Sequence, residues 1–334
     1  MRGSSSPASG PAMRFRPYAK MSSAGEARAQ PSPGGTWVAL EKLHGAQLVL
    51  AVQRGQVHFG KRKAWLTDED PFFGWQLLRA QLGDAARRMA RAVGTEDSTV
   101  YLYGELLGGH YPHPDVPAVP GMSPVQTGIW YAPDLHWVPF DMLVARSDED
   151  AGVLVAHGDL EALAHEAGLL TPPVLRRGTR SDLEGVPTRA QTRFPSLLGL
   201  PPIAGNVAEG LVIKSELRTT PSQRAAFKRK IEEFDEARFD ESAAWDPNQR
   251  LSLPALMAWT ERLVNPARIA SALSKWGRSD AGQVLDEVVL DVRVDLELAF
   301  PLACRSLDPA DEERLSAHIR ERAVPLVQAV AGER

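Results

Sequence analysis

The chain has 334 residues, 43% of them hydrophobic and 24% charged, which excludes a disordered protein and leaves room for two domains. A net charge of -4 argues against a protein that coats nucleic acid non-specifically, but it does not exclude a local basic cleft. The single cysteine, Cys304, excludes an intramolecular disulfide and a cysteine-based zinc site. Because no secretory signal and no bilayer-spanning apolar run is found, we expect a cytoplasmic monomer without a membrane partner.

The N-terminal part of the sequence changes from flexible to β-rich. Residues 1–12 are rich in Ser, Gly and Pro and are predicted to form a flexible extension, and Met13 is a second candidate start codon. The Ser-, Pro- and Gly-rich stretch 22–35 is predicted to be a loop. Beyond it, TWVALEK and AQLVLAVQ have the composition of strands, and Arg54-Gly55, before QVHFGKR, predicts a hairpin.

The middle of the chain alternates between helical and strand patterns. Residues 71–93 are predicted to form a helix with an apolar face around Trp75. Strand patterns follow at STVYLYGEL, LHWVPFDMLVA and AEGLVIKSE, with a short helix predicted over residues 159–168. The Arg- and Pro-rich segment 176–202 is predicted to be loop-like.

From about residue 245 the sequence shows only helical patterns. Asp308-Pro309 predicts a helix start, because an N-cap aspartate precedes a proline at the first helical position. Pro325 is expected to kink or end that helix, since it has no backbone N–H. The predicted fold class is α+β, with antiparallel sheets flanked by helices over residues 13–240 and a small all-helical domain over residues 245–334.

The string EKLHG, residues 41–45, carries the first chemical signal. A lysine at the end of a strand, directly before a glycine turn, is held out into a cleft, where nearby cations and partial desolvation favour its nucleophilic free amine. Such an amine can attack the α-phosphate of a nucleotide and form a phosphoramidate. Taken alone, the string also fits an ordinary surface lysine beside a turn, so a role for Lys42 needs support from other strings.

Five further groups of residues follow EKLHG along the chain, and their order matters for the resemblance below. They are FGKRKAW with DPFFGWQLL, YGELLGGHYPHP, WVPFDMLV, AEGLVIKSE and FKRKIEEFDE, between residues 59 and 236. Together they resemble the motifs of the covalent nucleotidyltransferases, the superfamily of ligases and RNA capping enzymes. YGEL-x-GG-x-YPHP, DPFFGWQLL and the opening FRPYAKM resemble the RNA ligase 2 family, which contains the phage double-strand RNA ligase and the kinetoplastid RNA-editing ligases.

The resemblance implies a role for each matched residue in the transfer of AMP from ATP. Lys42 would carry the AMP, and Glu209 would bind a divalent metal, Mg2+ or Mn2+, through its oxygens. Phe140 would stack on adenine, and Glu105 would accept a hydrogen bond from the ribose. The other residues that the resemblance assigns to ATP binding are Glu41, His44, Gly45, Arg62, Lys214, Lys228 and Lys230. The residues from 13 to 240 would thus form an adenylyltransferase domain.

Several of these residues also have simpler explanations. Phe140 alone is better explained as a core residue of a strand, and Glu105 fits a salt bridge at a strand edge. The string FKRKIEEF suits an amphipathic helix as well as a strand, and in a helix Lys228 and Lys230 would be solvated rather than aligned on one face. Arg62 fits a solvated turn.

The predicted RNA contacts rest on a weaker resemblance. The family usually has Asn where this chain has Gln47, which keeps the amide but changes its reach toward the acceptor strand. In the helical domain, the string ERLVNPARIASALSKWG offers cations for phosphate, and Arg268 and Lys275 are the predicted contacts. A structural helical domain with exposed basic residues is the alternative.

The function implied by the resemblance is that of an ATP-dependent RNA ligase. It would join RNA 3′-hydroxyl and 5′-phosphate ends through a lysyl-AMP, with nicked duplex RNA as the expected substrate. A DNA ligase or an RNA capping guanylyltransferase is the first alternative, because the contact to the nucleotide base cannot be read from the sequence. A non-catalytic protein that binds RNA ends is the second, and the presence of every expected phosphate lysine and of the metal carboxylate argues against it.

Overall fold

Two β-sheets form the N-terminal part of the protein, and the computed structural model describes residues 13–23, 33–235, 249–276 and 280–332. The first sheet contains strands β1 (Ser22–Ser23), β2 (Trp37–Glu41), β9 (Val174–Gly178), β10 (Gly210–Ser215) and β11 (Ala226–Lys230). Their order is β1-β11-β10-β2-β9, and all neighbours are antiparallel except β1 and β11. Strand β9 corrects the prediction that residues 176–202 are loop-like, because its backbone pairs with β2 although the side chains of Arg176 and Arg177 are exposed.

The second sheet is antiparallel throughout and begins with the predicted hairpin. Its strands are β3 (Ala46–Gln53), β4 (Gln56–Lys61), β5 (Ala64–Trp65), β6 (Thr99–Gly108), β7 (Leu135–Ala145) and β8 (Val153–Leu154). They are arranged in the order β5-β4-β3-β6-β7-β8. The hairpin between β3 and β4 is confirmed, and Arg54 and Gly55 turn the chain with positive φ values of 48° and 76°, which tight two-residue hairpins require. The mixed α+β class with antiparallel sheets is therefore confirmed.

Short helices flank the two sheets. They are two 3-10 helices, Trp75–Leu78 and Pro221–Gln223, and helices α1 (Arg79–Val93), α2 (His157–Glu166), α3 (Arg180–Glu184), α4 (Phe194–Leu197) and α5 (Glu232–Asp235). The helix predicted over residues 71–93 begins only at Trp75, because Phe73 and Gly74 have positive φ values of 55° and 71° that lie outside the right-handed helical region. The buried face of α1, with Leu82, packs in one core with Leu48 of β3.

Residues 249–276 and 280–332 contain only helices, as predicted. They are α6 (Leu253–Leu263), α7 (Pro266–Trp276), α8 (Ala281–Ala299), α9 (Pro301–Arg305) and α10 (Pro309–Gly332). The predicted start of α10 is confirmed, and the Asp308 carboxylate accepts a hydrogen bond of 2.8 Å from the backbone N–H of Asp311. The expected end of this helix at Pro325 is wrong, because the helix continues to Gly332, and the burial of Ala323 and Val327 on either side of Pro325 explains how packing offsets one lost backbone bond.

The helical region and the second sheet share one hydrophobic core. Trp259 and Val288 belong to the same cluster of buried side chains as Leu48 and Trp75. The Trp259 indole also donates a 2.8 Å hydrogen bond to the carbonyl oxygen of Pro120. The predicted junction near residues 240–245 lies outside the described residues. Within the described segments, every helix is too short or too polar to span a lipid bilayer.

Residues 13–23 form a segment that crosses from one sheet to the other. On the second sheet, the hydroxyl groups of Tyr101 and Tyr103 donate hydrogen bonds to the carbonyl oxygens of Arg14 and Arg16, at 2.7 and 3.2 Å. Further along the segment, β1 pairs with β11 of the first sheet. We call residues 13–23 the bridging segment.

Candidate active site

A cavity of about 670 Å³ lies between the two sheets, where the chain passes from β2 into β3. Lys42 lines this cavity, and its backbone N–H donates a 3.0 Å hydrogen bond to the carbonyl oxygen of Gly210 at the start of β10. Gly45 completes the crossing, and an added Cβ there would lie 2.2 Å from the carbonyl oxygen of Leu106. A side chain at position 45 would therefore push β3 away from β6, which explains why glycine follows the lysine so closely.

Glu209 is the centre of the charge network around Lys42. Its carboxylate is 2% exposed, and its two oxygens lie 2.5 Å from Nζ of Lys42 and 2.8 Å from Nζ of Lys230. His44 contributes a third contact, with Nδ1 at 3.6 Å. Burial opposes ionisation of Glu209, but the contact with His44 and the two lysines outweigh it and hold the pKa of this carboxyl well below its usual value. One buried, ionised carboxylate is thus shared by two ammonium groups.

Lys228 and Lys230 lie on strand β11, so the amphipathic-helix alternative for this string is wrong. Residues two apart on a strand point to the same side, and both lysines are paired in register with β10, Lys228 opposite Val212 and Lys230 opposite Gly210. Burial, together with the charges of Lys230 and Lys42, lowers the pKa of Lys228. The cations are therefore close enough to repel one another, which favours an anionic occupant.

Glu105 and Gln47 face each other across strands β6 and β3, and both line the cavity. Burial raises the pKa of Glu105 to about 7. The negative charge of Glu209 also raises this pKa, and the positive charge of Lys42 lowers it. The Nε2 atom of Gln47 is buried and has no hydrogen-bond partner in the described part of the chain. The cavity wall thus offers a carboxyl that titrates near neutrality and an amide with unused donors.

Phe140 lies further along the cavity, beside a buried cluster of charges that we call the Asp141 cluster: Tyr18, Asp141, Lys214 and Arg224. The Asp141 carboxylate accepts a 3.0 Å hydrogen bond from Lys214 and further bonds from Arg224 and from the Tyr18 hydroxyl. Burial opposes ionisation of Asp141, but the two cations outweigh it and keep its pKa below the usual value. The Phe140 ring is partly buried, lines the cavity and packs edge-on against Tyr18, with ring centres 5.0 Å apart.

Lys214, a member of the Asp141 cluster, has partners different from those of the other predicted phosphate-binding lysines. It stands four residues after Gly210 on β10, which is roughly 13 Å along the strand. Its ammonium group also donates a 2.7 Å hydrogen bond to the carbonyl oxygen of Phe140. Lys214 therefore holds the strand that carries Phe140, instead of lying beside Glu209.

Sequence reasoning did not identify the other members of this cluster. Tyr18 and Asp141 lie within strings that the resemblance includes, FRPYAKM and WVPFDMLV, so their positions carried a usable signal. Arg224 stands in a loop outside every matched string, and only the three-dimensional structure brings it to Asp141.

Glu41, directly before Lys42, is tied to a distant loop. Its buried carboxylate accepts a 2.7 Å hydrogen bond from the backbone N–H of Arg193 and a second from the Thr192 hydroxyl. Burial raises the pKa of Glu41, and these two bonds only partly offset that effect. Glu41 lines the cavity and at the same time anchors the 192–193 loop beside the lysine. At the outer rim of the cavity, Arg62 is exposed to solvent.

The two predicted RNA contacts of the helical region differ in their environment. Arg268 is 4% exposed, donates a 2.9 Å hydrogen bond to the carbonyl oxygen of Leu263 and forms an ion pair with buried Asp295. The prediction that Arg268 contacts RNA is therefore corrected, because its guanidinium is used inside the protein. Lys275 is half-exposed and paired with Glu287 on the surface, where a phosphate can reach it.

The donor set around Glu209 bears on the predicted metal. In the ranges that the structure describes, no group of three or more His, Cys, Asp and Glu side chains is placed to hold a metal ion. Mg2+ commonly binds one or two carboxylates and completes its shell with phosphate oxygens and water. Glu209 therefore fits a metal that is bound jointly with a nucleotide and does not form a protein-only cage.

Comparison with known proteins identifies relatives of this region. A family model described as RNA ligase matches residues 35–230, which is more than half of the chain. RNA-editing ligase 2, mitochondrial, of Trypanosoma brucei brucei is 32% identical over 200 residues, covering 53% of this chain and 48% of the relative. RNA-editing ligase 1, mitochondrial, of the same organism is 28% identical over 242 residues, covering 62% and 52%. The chain thus spans about half the length of these curated relatives.

A weaker likeness exists to solved structures. A variant RNA ligase of Naegleria gruberi, solved with ATP and Mn, is 11% identical, with a TM-score of 0.43 over 66% of this chain and 58% of that chain. This similarity is too low to transfer any property to the present chain.

Proposed function

The chain belongs to the RNA ligase family, and from this premise we propose that it is an ATP-dependent RNA ligase whose lysyl-AMP forms on Lys42. The observation that carries the proposal is the position of the Lys42 amine, which lies in the cavity between the sheets, 2.5 Å from Glu209 and close to Lys228 and Lys230. A lysine among cations is poised to become a nucleophile, and the same cations attract a triphosphate.

In the first step, the Lys42 nitrogen attacks the α-phosphorus of ATP. The ammonium loses one proton to water so that the free amine can attack, the bond from that phosphorus to the bridging oxygen breaks as the phosphorus–nitrogen bond forms, pyrophosphate leaves, and the nitrogen passes a second proton to water. Lys42 must first leave Glu209, and Lys230 keeps the carboxylate paired when it does, because it holds the other oxygen at 2.8 Å. Lys228 and Lys230 then stabilise the negative charge that develops on the phosphates.

Glu209 would hold Mg2+ or Mn2+ together with phosphate oxygens of the nucleotide. When bound, the ion supplies positive charge that neutralises those oxygens and polarises the reacting phosphate. Because Lys42 holds the same carboxylate, it would have to leave Glu209 for a cation to bind there, and Lys230 would keep the second oxygen paired.

The rest of the cavity suits the remainder of the nucleotide. Phe140 offers an aromatic face for adenine, and the Asp141 cluster holds the strand on which it lies. Glu105 accepts a ribose hydroxyl, and Arg62 at the rim reaches the phosphates. We assign Lys214 to the support of Phe140 and not to the triphosphate.

The second and third steps use RNA. An oxygen of the RNA 5′-phosphate attacks the phosphorus of lysyl-AMP, the phosphorus–nitrogen bond breaks, and the Lys42 nitrogen takes two protons from water to become an ammonium again. The 3′-hydroxyl of the other end then attacks the activated 5′-phosphorus and loses its proton to water, and AMP leaves. Gln47, with its unused amide donors at the cavity wall, is the proposed contact to the acceptor strand. We further propose nicked duplex RNA as the substrate of a monomeric cytoplasmic enzyme.

The test of the lysyl-AMP is covalent labelling. Purified protein is incubated with Mg2+ and ATP labelled at the α-phosphate, and we expect a protein adduct with the mass of one AMP that acid hydrolyses, as a phosphoramidate requires. Lys42→Ala abolishes the label while circular dichroism shows a folded protein. Lys275→Ala is the matched control, because this lysine is paired with Glu287 away from the cavity. Wild-type labelling of the Lys42→Ala protein would overturn the proposal.

The choice of nucleotide and polynucleotide separates the proposed function from its alternatives. Labelling by ATP and not by GTP argues against a capping guanylyltransferase, and sealing of nicked RNA in preference to nicked DNA argues against a DNA ligase. If no adduct forms with any nucleotide, the non-catalytic binder of RNA ends replaces the ligase. Comparison of nicked duplex RNA with single-stranded RNA tests the proposed substrate separately.

Removal of the helical region is a poor test of its role in RNA binding. Because α6 and α8 share a core with the second sheet, truncation near residue 240 would expose apolar side chains, including Trp75. Loss of activity after truncation would then report unfolding as readily as lost RNA contact. Substitution of exposed Lys275 avoids this ambiguity.

A further inference from the structure

A second, much smaller cavity lies behind the Asp141 cluster. Its volume is about 10 Å³, close to the space that one water molecule needs. Asp141, Lys214 and Arg224 line both this cavity and the large one, so these three side chains form the partition between them. The far wall of the small cavity includes His157, the first residue of α2, and Thr219.

His157 is a buried polar side chain that has no hydrogen-bond partner among the residues that the structure describes. The residue is 1% exposed, and neither ring nitrogen has a hydrogen-bond partner in the described residues. Burial and the neighbouring Lys214 lower its pKa to about 2, so the imidazole is neutral at any physiological pH. A buried donor or acceptor without a partner is costly, and such groups in proteins are normally satisfied by protein or by an internal water.

On the opposite wall of the small cavity, Lys214 can donate a hydrogen bond to a water that lies beside His157. Lys214 has three ammonium protons, of which one is directed to Asp141 and one to the carbonyl oxygen of Phe140. The third proton of Lys214 is available to a water in the small cavity, which can in turn donate to the acceptor nitrogen of a neutral imidazole. Among the described residues, no direct hydrogen bond links the His157 ring to the cluster.

We propose that His157 is a positioning residue of the nucleotide site, which acts through one internal water on Lys214 and thereby on the strand that carries Phe140. This inference rests on the proposed function, since it assumes that a nucleotide base stacks on Phe140. His157 touches neither substrate nor reacting atoms. Its effect is on nucleotide affinity, because the base end of the cavity is preorganised before the nucleotide arrives.

The first experiment measures binding without chemistry. The probe is α,β-methylene ATP, which lacks the bond that adenylylation breaks, and its Kd is measured by calorimetry in the presence of Mg2+. His157→Leu keeps a similar volume but removes both nitrogens, and we expect Kd to rise about 3- to 10-fold, the effect of one neutral hydrogen bond. His157→Gln, which can still bond the water, is expected to stay within about 2-fold of the wild type.

A matched control lies on the same helix. His165 is exposed in the last turn of α2, so His165→Leu makes the same chemical change away from the cluster and is expected to leave Kd unchanged. If His157→Leu lowers Tm but binds the analogue as the wild type does, His157 is only structural and the proposal is overturned. If His157→Leu does not fold, the Kd of His157→Asn, which reaches less far than Gln, decides between the same two outcomes.

A high-resolution crystal structure of the wild-type protein tests the water itself. We expect one ordered water within hydrogen-bond distance of a His157 ring nitrogen and of Nζ of Lys214, and a dry cavity would overturn the proposal. The two proposals fail separately. If His157→Leu weakens binding of the analogue but the wild type never forms lysyl-AMP, the ligase function is overturned and the positioning role stands. If the wild type forms lysyl-AMP and His157→Leu leaves Kd unchanged, the ligase function stands and the positioning role is overturned.

Discussion

Buried ion pairs occur in both parts of the protein, but they are built differently. Between the sheets, the carboxylates of Glu209 and Asp141 are each shared by two cations. In the helical region, Arg268 and Asp295 form a one-to-one pair beneath the surface. A shared carboxylate can release one cation and remain paired, whereas a one-to-one pair cannot open without leaving a buried charge uncompensated. The comparison indicates that Glu209 can release Lys42 during a reaction, whereas the pair of Arg268 and Asp295 holds the fold.

The largest expected effect is at the shared carboxylate beside the nucleophile. Glu209→Gln keeps the shape but removes the charge that holds Lys42 and Lys230 and that would bind the metal. We expect adenylylation to fall about 10²- to 10³-fold, the usual scale for loss of one electrostatic group at a reacting phosphate. The measurement is the initial rate of labelling by ATP. Glu297→Gln, an exposed carboxylate on α8, is the control, and equal rates for the two variants would contradict this assignment.

The one-to-one pair predicts an effect on folding instead. Arg268→Leu leaves Asp295 buried without a cation, and we expect a loss of about 3–5 kcal/mol in the free energy of unfolding, measured with urea. Adenylylation by the folded fraction should be unchanged. The double variant Arg268→Leu/Asp295→Leu should recover most of the lost stability, because it removes both charges together. A single variant as stable as the wild type would show that this pair does not hold the fold.

Glu105 sharpens the comparison through pH. Its pKa in the folded protein is about 7, above the value of 4.5 for a free glutamate, so the folded state keeps the proton longer than the unfolded state does. The stability of the wild type should therefore fall as pH rises from about 4.5 to 7 through this group. Glu105→Gln removes that penalty and should raise Tm relative to the wild type by about 2–4 °C at pH 8 but not at pH 5. A difference in Tm that does not change with pH would refute the shift, and exposed Glu96→Gln is the control.

The smallest expected effect is at the exposed surface of the helical region. Lys275→Ala removes a half-exposed partner of Glu287 and should change the free energy of unfolding by less than about 0.5 kcal/mol. If Lys275 contacts an RNA phosphate, affinity for nicked duplex RNA falls modestly, and the slope of log K against log salt decreases by about 1. Salt titrations of binding measure both quantities. An unchanged slope would leave the helical region without its proposed phosphate contact.

The sequence predicted much of the fold because local chemistry decided it. Arg54-Gly55 had to turn between two apolar strands, and Asp308-Pro309 had to begin a helix. Strand β9 was missed because its pairing with β2 is a long-range contact, while its exposed arginines have the composition of a loop. The helix does not end at Pro325, because the packing around this residue outweighs one missing hydrogen bond.

In the candidate site, too, some residues could be found from the sequence and others depend on long-range contacts. Lys42, Glu209 and Lys230 were found because their strings have a characteristic order, and the structure brings them together. The burial of Arg268 and the position of Lys214 beside Phe140 were not predictable, since each depends on a partner far away in the sequence. His157 belongs to no matched string, and it is noticed only because its ring nitrogens have no hydrogen-bond partner in the part of the chain that the structure describes.

The bridging segment has a consequence for how the cavity can open. It is bonded to β6 of one sheet through Arg14 and Arg16 and to β11 of the other through Ser22 and Ser23. A motion that spreads the sheets apart would pull on both sets of these bonds. Deuterium uptake along residues 13–23, compared before and after adenylylation, would therefore report on the separation of the two sheets and show whether they move apart during turnover.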